Sequence, residues 1–228
     1  MLKLESINVG HKTELQQGKR IVTTGIFKNP VEHDVQLSWQ GITGDIICDR
    51  RHHGGVDQAI YIYRAEDYDW WNQNHDYNFG AGHFGENLTI RGIPGPGLMI
   101  GDQMTFGDIC LQVTAPRIPC ATFAARIGNK HFVKEFNAAQ RPGFYCKVVR
   151  LGVLGTQVAG SLEATNAISI STLQFYRDLQ RSLTISELDA YLALPIDERS
   201  RADFTNRRTK LDRTKLDKRQ TSSESKSL

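Results

Sequence analysis

The sequence predicts a mainly β fold, a closed or nearly closed β-barrel with a few inserted helices, followed by a small three-helix appendage. Short β-like runs of branched and aromatic residues, broken by glycine, recur from the start of the chain to about residue 115. Beyond about residue 165 the pattern shifts to short amphipathic stretches with helix-capping residues. The 228 residues, 39% of them hydrophobic, suffice for one domain with a real core and a small addition.

The expected strands are Arg20–Phe27, Val35–Ile42, Ala59–Arg64, Asn87–Ile90, Gln103–Phe106 and Cys110–Ala115. Ala59-Ile60-Tyr61-Ile62-Tyr63 has the aromatic and branched content of a central strand. Further strands are expected at Tyr145–Leu151 and near Gln157–Ala164. A helix is expected over Ala65–Asn74, with Glu66 and Asp67 placed favourably for its dipole. Ala121–Gln140 reads as helix broken near Gly128-Asn129, and Gly92–Gly97 as a proline-rich loop.

Ser171–Leu179 reads as a short helix. Thr184-Ile185-Ser186-Glu187 is a capping box opening a second helix, which Pro195 ends. Ser200-Arg201-Ala202-Asp203 opens a third. The expected division is therefore a barrel over 1–164, a helical module over 165–208 and a flexible, basic, polar tail over 209–228. That tail repeats Thr209-Lys210-Leu211-Asp212-Arg213 as Thr214-Lys215-Leu216-Asp217-Lys218.

A net charge of +3 does not point to nucleic acid. No apolar run approaches the roughly 20 residues of a membrane helix. The opening Met1–Ser6 shows no export-signal core, so a cytoplasmic protein with reduced thiols is expected. No two of Cys48, Cys110, Cys120 and Cys146 stand at the spacing of a zinc knuckle or an iron–sulfur cluster. A zinc site from Cys48, His52 and His53 would be crowded and would lack a second ligand pair.

Cys120 follows a predicted strand in Ala115-Pro116-Arg117-Ile118-Pro119-Cys120. Two prolines stiffen that segment. A rigid loop presenting one thiol suits a metal ligand, and Arg117 could supply the charge that favours the thiolate. A buried structural cysteine is the ordinary alternative.

Arg51-His52-His53-Gly54-Gly55 combines a planar cation with glycines that let backbone amides approach an anion. His53 could donate to phosphate or a pterin edge. In His83-Phe84-Gly85-Glu86-Asn87-Leu88, Asn87 offers both donor and acceptors, and Glu86 could face Arg51 or Arg117. Arg141, in Arg141-Pro142-Gly143-Phe144-Tyr145, could face the same anion. Each patch alone also fits a turn or a strand start.

Together and in order, Gly44-Asp45, His53-Gly54-Gly55, Ala59, Gly85-Glu86-Asn87, Gly101-Asp102, Pro116-Arg117, Pro119-Cys120 and Gly143-Phe144-Tyr145 resemble the MOSC family, named for the C-terminal domain of molybdenum cofactor sulfurase. The resemblance covers roughly residues 20 to 164, and the trailing helices resemble the three-α module of stand-alone bacterial members. The most similar branch is that of the proteins conferring resistance to 6-N-hydroxylaminopurine.

The resemblance implies a β-barrel that binds Mo–molybdopterin, with Cys120 as the metal ligand. It implies Arg51, His53, Gly54, Gly55, Asn87, Arg117, Cys120 and Arg141 around the cofactor, and Cys120, Glu86 and His53 in catalysis. It implies detoxifying reduction of N-hydroxylated compounds with electrons from a separate flavin or iron–sulfur reductase, and it leaves a homodimer open. Neither an iron–sulfur cluster nor pyridoxal phosphate is expected in this chain. The rival in another class is a non-catalytic carrier of the cofactor or of sulfur.

Overall fold

The computed structural model describes residues 1–51, 53–95, 97–165 and 168–224, with side chains through Thr214. The chain runs through β1 Leu2–Gly10, β2 Thr13–Gln17, β3 Arg20–Thr24, β4 Lys28–Val31, β5 Val35–Ser38, β6 Gly41–Ile42, β7 Ile60–Arg64, α1 Ala65–Asn74, β8 Leu88–Arg91, β9 Gln103–Phe106 and β10 Ile109–Pro116. It continues with α2 Ala121–Ile127, α3 Phe132–Ala139, β11 Phe144–Arg150, β12 Val153–Leu154, β13 Ala159–Glu163, α4 Thr172–Asp178, α5 Ile185–Leu192 and α6 Glu198–Glu224.

Seven strands close a mixed barrel in the order β13-β9-β10-β11-β7-β8-β1, with β1 pairing back onto β13 through Leu2↔Gly160. Closure leaves no free edge in the ring, and β4 extends it from β1. Among the described residues only β7 and β8 pair in parallel, as the α1 crossover between them requires. At the seam Gly160 lies against Phe106, where a Cβ would come within 2.4 Å of the ring. Two smaller sheets, β12-β5-β6 and the β2–β3 hairpin, stand beside the barrel.

β7 shows why the strand content was readable. Ile60 and Ile62 point into the barrel core, while Tyr61 and Tyr63 point outward into a second, aromatic core. That second core gathers Tyr68 and Trp71 of α1, Phe84, Phe123 of α2, and Phe132 and Phe136 of α3. Trp71 Nε1 donates to the Tyr63 hydroxyl at 2.9 Å, so the buried polar tips satisfy each other.

The structure refines several expectations. β1 lies where no strand was expected, because a bulge between Leu4 and Ser6 interrupts its alternation. The run Arg20–Phe27 yields β3 and then a break at Gly25, and Val35–Ile42 folds back on itself as β5 and β6. The 121–140 helix does break at Gly128, which is left-handed at φ 76°.

The Thr184 capping box is present: Glu187 Oε2 accepts from Thr184 N–H at 2.8 Å and Thr184 Oγ1 from Glu187 N–H at 3.3 Å. The third helix of the module starts earlier than Ser200, because the Asp197 carboxylate accepts from Ser200 N–H and caps it. That helix also runs on through Glu224, where a flexible tail was expected from 209. The repeat there is rich in helix formers, and Arg207–Asp203 and Arg208–Asp212 pair one turn apart. No helix among the described residues is long and apolar enough to cross a membrane.

Candidate functional site

β10 ends at Pro116, and the chain leaves the barrel as Arg117-Ile118-Pro119-Cys120 before α2 begins. Cys120 is the N-terminal flanking residue of α2, in extended conformation. Its thiol borders a cleft of about 260 Å3. The cleft lies between that segment, the β3–β4 stretch Thr24–Lys28, the Ile46–Gly54 loop and the outer face of β7.

Cys120 differs from its fellow cysteines. Burial pushes its thiol up, but a hydrogen bond with His53, the Arg117 charge and the Phe123 backbone N–H outweigh that and bring it down to about 7. Cys146, inside the barrel, is held well above the ordinary range by burial. Cys110 is also buried, and exposed Cys48 borders the same cleft as Cys120.

Arg117 supplies the charge. It is only 4% exposed, and its Cζ sits 3.8 Å from the Phe123 ring centroid and 5.3 Å from that of Tyr61. Cation–π contact steadies a guanidinium there, yet its Nη1 has no hydrogen-bond partner in the protein. A buried donor left unsatisfied costs on the order of 1–3 kcal/mol, so this one is poised for an acceptor in the cleft.

Lys28 is a second buried cation bordering the cleft, 8% exposed and paired with Asp45. Burial pushes its ammonium down, against the charge and hydrogen bond of Asp45. Asp45 is fixed in turn by Gly10 N–H at 2.8 Å and Asn87 Nδ2 at 2.9 Å.

The structure brings Cys120, His53, Gly54, Asn87 and Arg117 to this one cleft. Asn87 has a structural task there: Oδ1 accepts from Tyr61 N–H at 3.1 Å while Nδ2 holds Asp45, so the amide pins two walls together. Gly54 and Gly55 are both left-handed, at φ 73° and 95°. Gly55 borders an adjoining hollow of about 230 Å3 that shares Ile47 and Gly54 with the first.

Three expected residues lie elsewhere. Arg51 is exposed and outside the cleft lining; its neighbour Arg50 borders the adjoining hollow. Glu86 is fully buried and does not border the cleft. Its carboxylate accepts from Gly82 N–H, Phe84 N–H, Tyr68 Oη and Thr89 Oγ1 at 2.6–3.2 Å, which ties up the turn it belongs to. Arg141 pairs with Asp67 at 2.6 Å, stacks 4.4 Å from the Trp70 ring centroid, and faces a different hollow beside Arg64. The left-handed Gln140 turns the chain that way after α3. His52 lies outside the described residues, and with it the zinc reading.

Sequence reasoning missed Lys28, Gln58, Tyr61 and Tyr145 as lining residues. Lys28 carried one signal, a lone cation in Gly25-Ile26-Phe27-Lys28. The tyrosines read simply as strand residues. Their hydroxyls are pushed up by burial, against the opposing charge of Arg117, so both remain donors at neutral pH.

The arrangement offers one thiol ligand that favours its anion, two buried cations and two buried tyrosine hydroxyls, which suits a metal carried by an anionic organic group.

Comparison with known proteins identifies the family of this fold. The family model for the MOSC domain matches residues 49–159, a span that includes His53, Asn87, Arg117 and Cys120. The chain is 30% identical over 211 residues to YflK of Bacillus subtilis (strain 168), covering 90% of this chain and 94% of that one. It is 30% identical over 137 residues to a protein named reductase from Gibberella moniliformis (strain M3125 / FGSC 7600), covering 58% of this chain and 24% of that one. Among solved structures, YiiM from Geobacillus stearothermophilus superposes with a TM-score of 0.75 at 26% identity, over 91% of this chain and all (100%) of that one. With its closed mixed barrel and the cysteine cleft beside it, the chain belongs to the MOSC domain family.

Proposed function

We propose that the protein is an oxidoreductase that holds a molybdenum–pterin cofactor through Cys120 and reduces N-hydroxylated compounds to amines or amidines. The observation carrying this reading is the pairing of a thiol brought down to about 7 with a buried, unsatisfied Arg117 nitrogen bordering the same cleft.

The residues present fit such a group. Cys120 would supply the protein's sulfur ligand to the metal. Arg117 and Lys28 would neutralise the phosphate or other anionic atoms, and the paired left-handed glycines would let backbone approach them. The two adjoining hollows together give a ligand of pterin size more room than either alone. When bound, the cofactor supplies the two-electron oxygen-removing chemistry that no side chain of this chain offers.

The side chains do the rest. His53 orients the Cys120 sulfur by hydrogen bonding and sets an imidazole beside the ligand position. Tyr145 stays protonated and can donate to a substrate oxygen, while Tyr61 gives its hydroxyl hydrogen to the Pro142 carbonyl at 3.0 Å and so fixes that wall. Val22, Ile26, Ile46 and Phe84 form an apolar wall that limits water. The balance is R–NHOH plus two electrons and two protons giving R–NH2 and water. The electrons come from a separate flavin or iron–sulfur reductase.

The test is turnover of 6-N-hydroxylaminopurine by purified, cofactor-loaded protein with reduced methyl viologen as donor. Formation of one amine per two electrons is expected. A loaded protein that leaves the whole set of hydroxylamines, amidoximes and hydroxylaminopurine unchanged would be a carrier, and the enzyme reading would fall.

A further inference from the structure

We infer that the three-helix module completes the cleft: Asp197 and Arg199 fix the carboxamide of Gln58 so that it reads the edge of a planar heteroaromatic lactam. This rests on the pterin reading above. Nothing in the family match requires it, since the matched span ends at residue 159.

Gln58 borders the cleft on the single 3-10 turn Val56–Gln58 that follows Gly54-Gly55. Both ends of its side-chain amide are held by the start of α6, some 140 residues away. Its Nε2 donates to Asp197 Oδ1 at 3.1 Å, and its Oε1 accepts from Arg199 Nη1 at 2.6 Å. Arg199 also reaches the Arg50 carbonyl at 3.4 Å, so it holds both Arg50 and Gln58.

A guanidinium can only donate and a carboxylate only accept. The pair therefore sets which end of the amide is oxygen and which is nitrogen. One N–H of Nε2 and one lone pair of Oε1 remain. An adjacent donor and acceptor on one rigid plane is the complement of a cyclic amide edge, the pattern shared by pterins and oxopurines.

The clamp's carboxylate is buried, with one Asp197 oxygen, Oδ1, bonded and the other, Oδ2, without a hydrogen-bond partner among the described residues. Asp197 is 1% exposed, and its Oδ1 also accepts from Ser200 N–H at 3.3 Å. Leu194 and Ile196, just before it, belong to the barrel's own core.

The experiment uses the full chain purified from a host with an intact cofactor pathway. Retained pterin is read as its oxidised fluorescent derivative per mole of protein. Gln58→Ala and Arg199→Met should each retain about tenfold less after dialysis, the effect of one lost hydrogen bond. The double variant should be no worse than either single, because both act through one amide. Arg199→Lys should recover most of the loss by keeping a donor on Oε1. Backbone hydrogen exchange over residues 50–58 should quicken in Arg199→Met while the barrel strands stay unchanged.

Wild-type protein that holds pterin while both single variants hold it equally well would overturn this inference alone. So would strictly additive losses, or unchanged exchange over residues 50–58. Wild-type protein without pterin would overturn the cofactor reading and the recognition role of Gln58 with it.

Discussion

A thiol packed beside aromatic rings ordinarily keeps its proton well above neutral pH, and Cys120 departs from that rule for identifiable reasons. Burial acts in the ordinary direction, but the His53 hydrogen bond, the Arg117 charge and the Phe123 N–H all favour the anion. An acid whose value falls becomes anionic at lower pH. Alkylation of Cys120 by iodoacetamide in cofactor-free protein should therefore reach half its maximal rate near pH 7, where Cys146 stays inert. Arg117→Met and His53→Ala should each move that midpoint upward, as mass spectrometry of the labelled peptides would record. An unmoved midpoint in Arg117→Met would remove the guanidinium from the account. Cys120 was legible because two prolines and an arginine surround it in a stretch of six residues. Lys28 was not, because its partner Asp45 lies 17 residues away and only the fold joins them. Glu86 misled for the opposite reason. A carboxylate next to Asn87 looks catalytic in a sequence, and four buried donors showing it to be a structural knot are invisible there.

Local elements were readable where local chemistry decides them. The Thr184 box is made by neighbours, so four residues sufficed to locate α5. Thr184→Ala should lower stability by about 1 kcal/mol, measured by urea unfolding, with no change in cofactor content. A change in cofactor content without a stability change would place α5 in the site instead. β1 was missed because a bulge moves its side chains out of step. The direction of Arg141 was missed because the left-handed Gln140 sets it, and no composition signal announces such a turn. From that geometry, Arg141→Ala should leave pterin content unchanged. It should instead lower stability, since it strands the buried Asp67 with only Arg64.

At the scale of the whole molecule, barrel and helices share one interior. Phe175, Tyr191 and Phe204 of the module stack at centroid distances of 4.8–5.7 Å within the same apolar cluster as Ile60, Leu88 and Val113 of the barrel. The change of sequence pattern near residue 165 suggested an appendage, because periodicity reports element type and is silent on what an element packs against. Truncation after Ala164 should strip that shared surface and leave a barrel that aggregates or melts far below the full chain, as calorimetry would show. The central claim concerns a sulfur–metal bond. The most direct measurement is molybdenum and pterin per mole of protein, for wild type and Cys120→Ser, both purified from a host with an intact cofactor pathway. The account predicts close to one of each in the wild type and loss of molybdenum in the variant, at unchanged folding. Full molybdenum content in Cys120→Ser would contradict it.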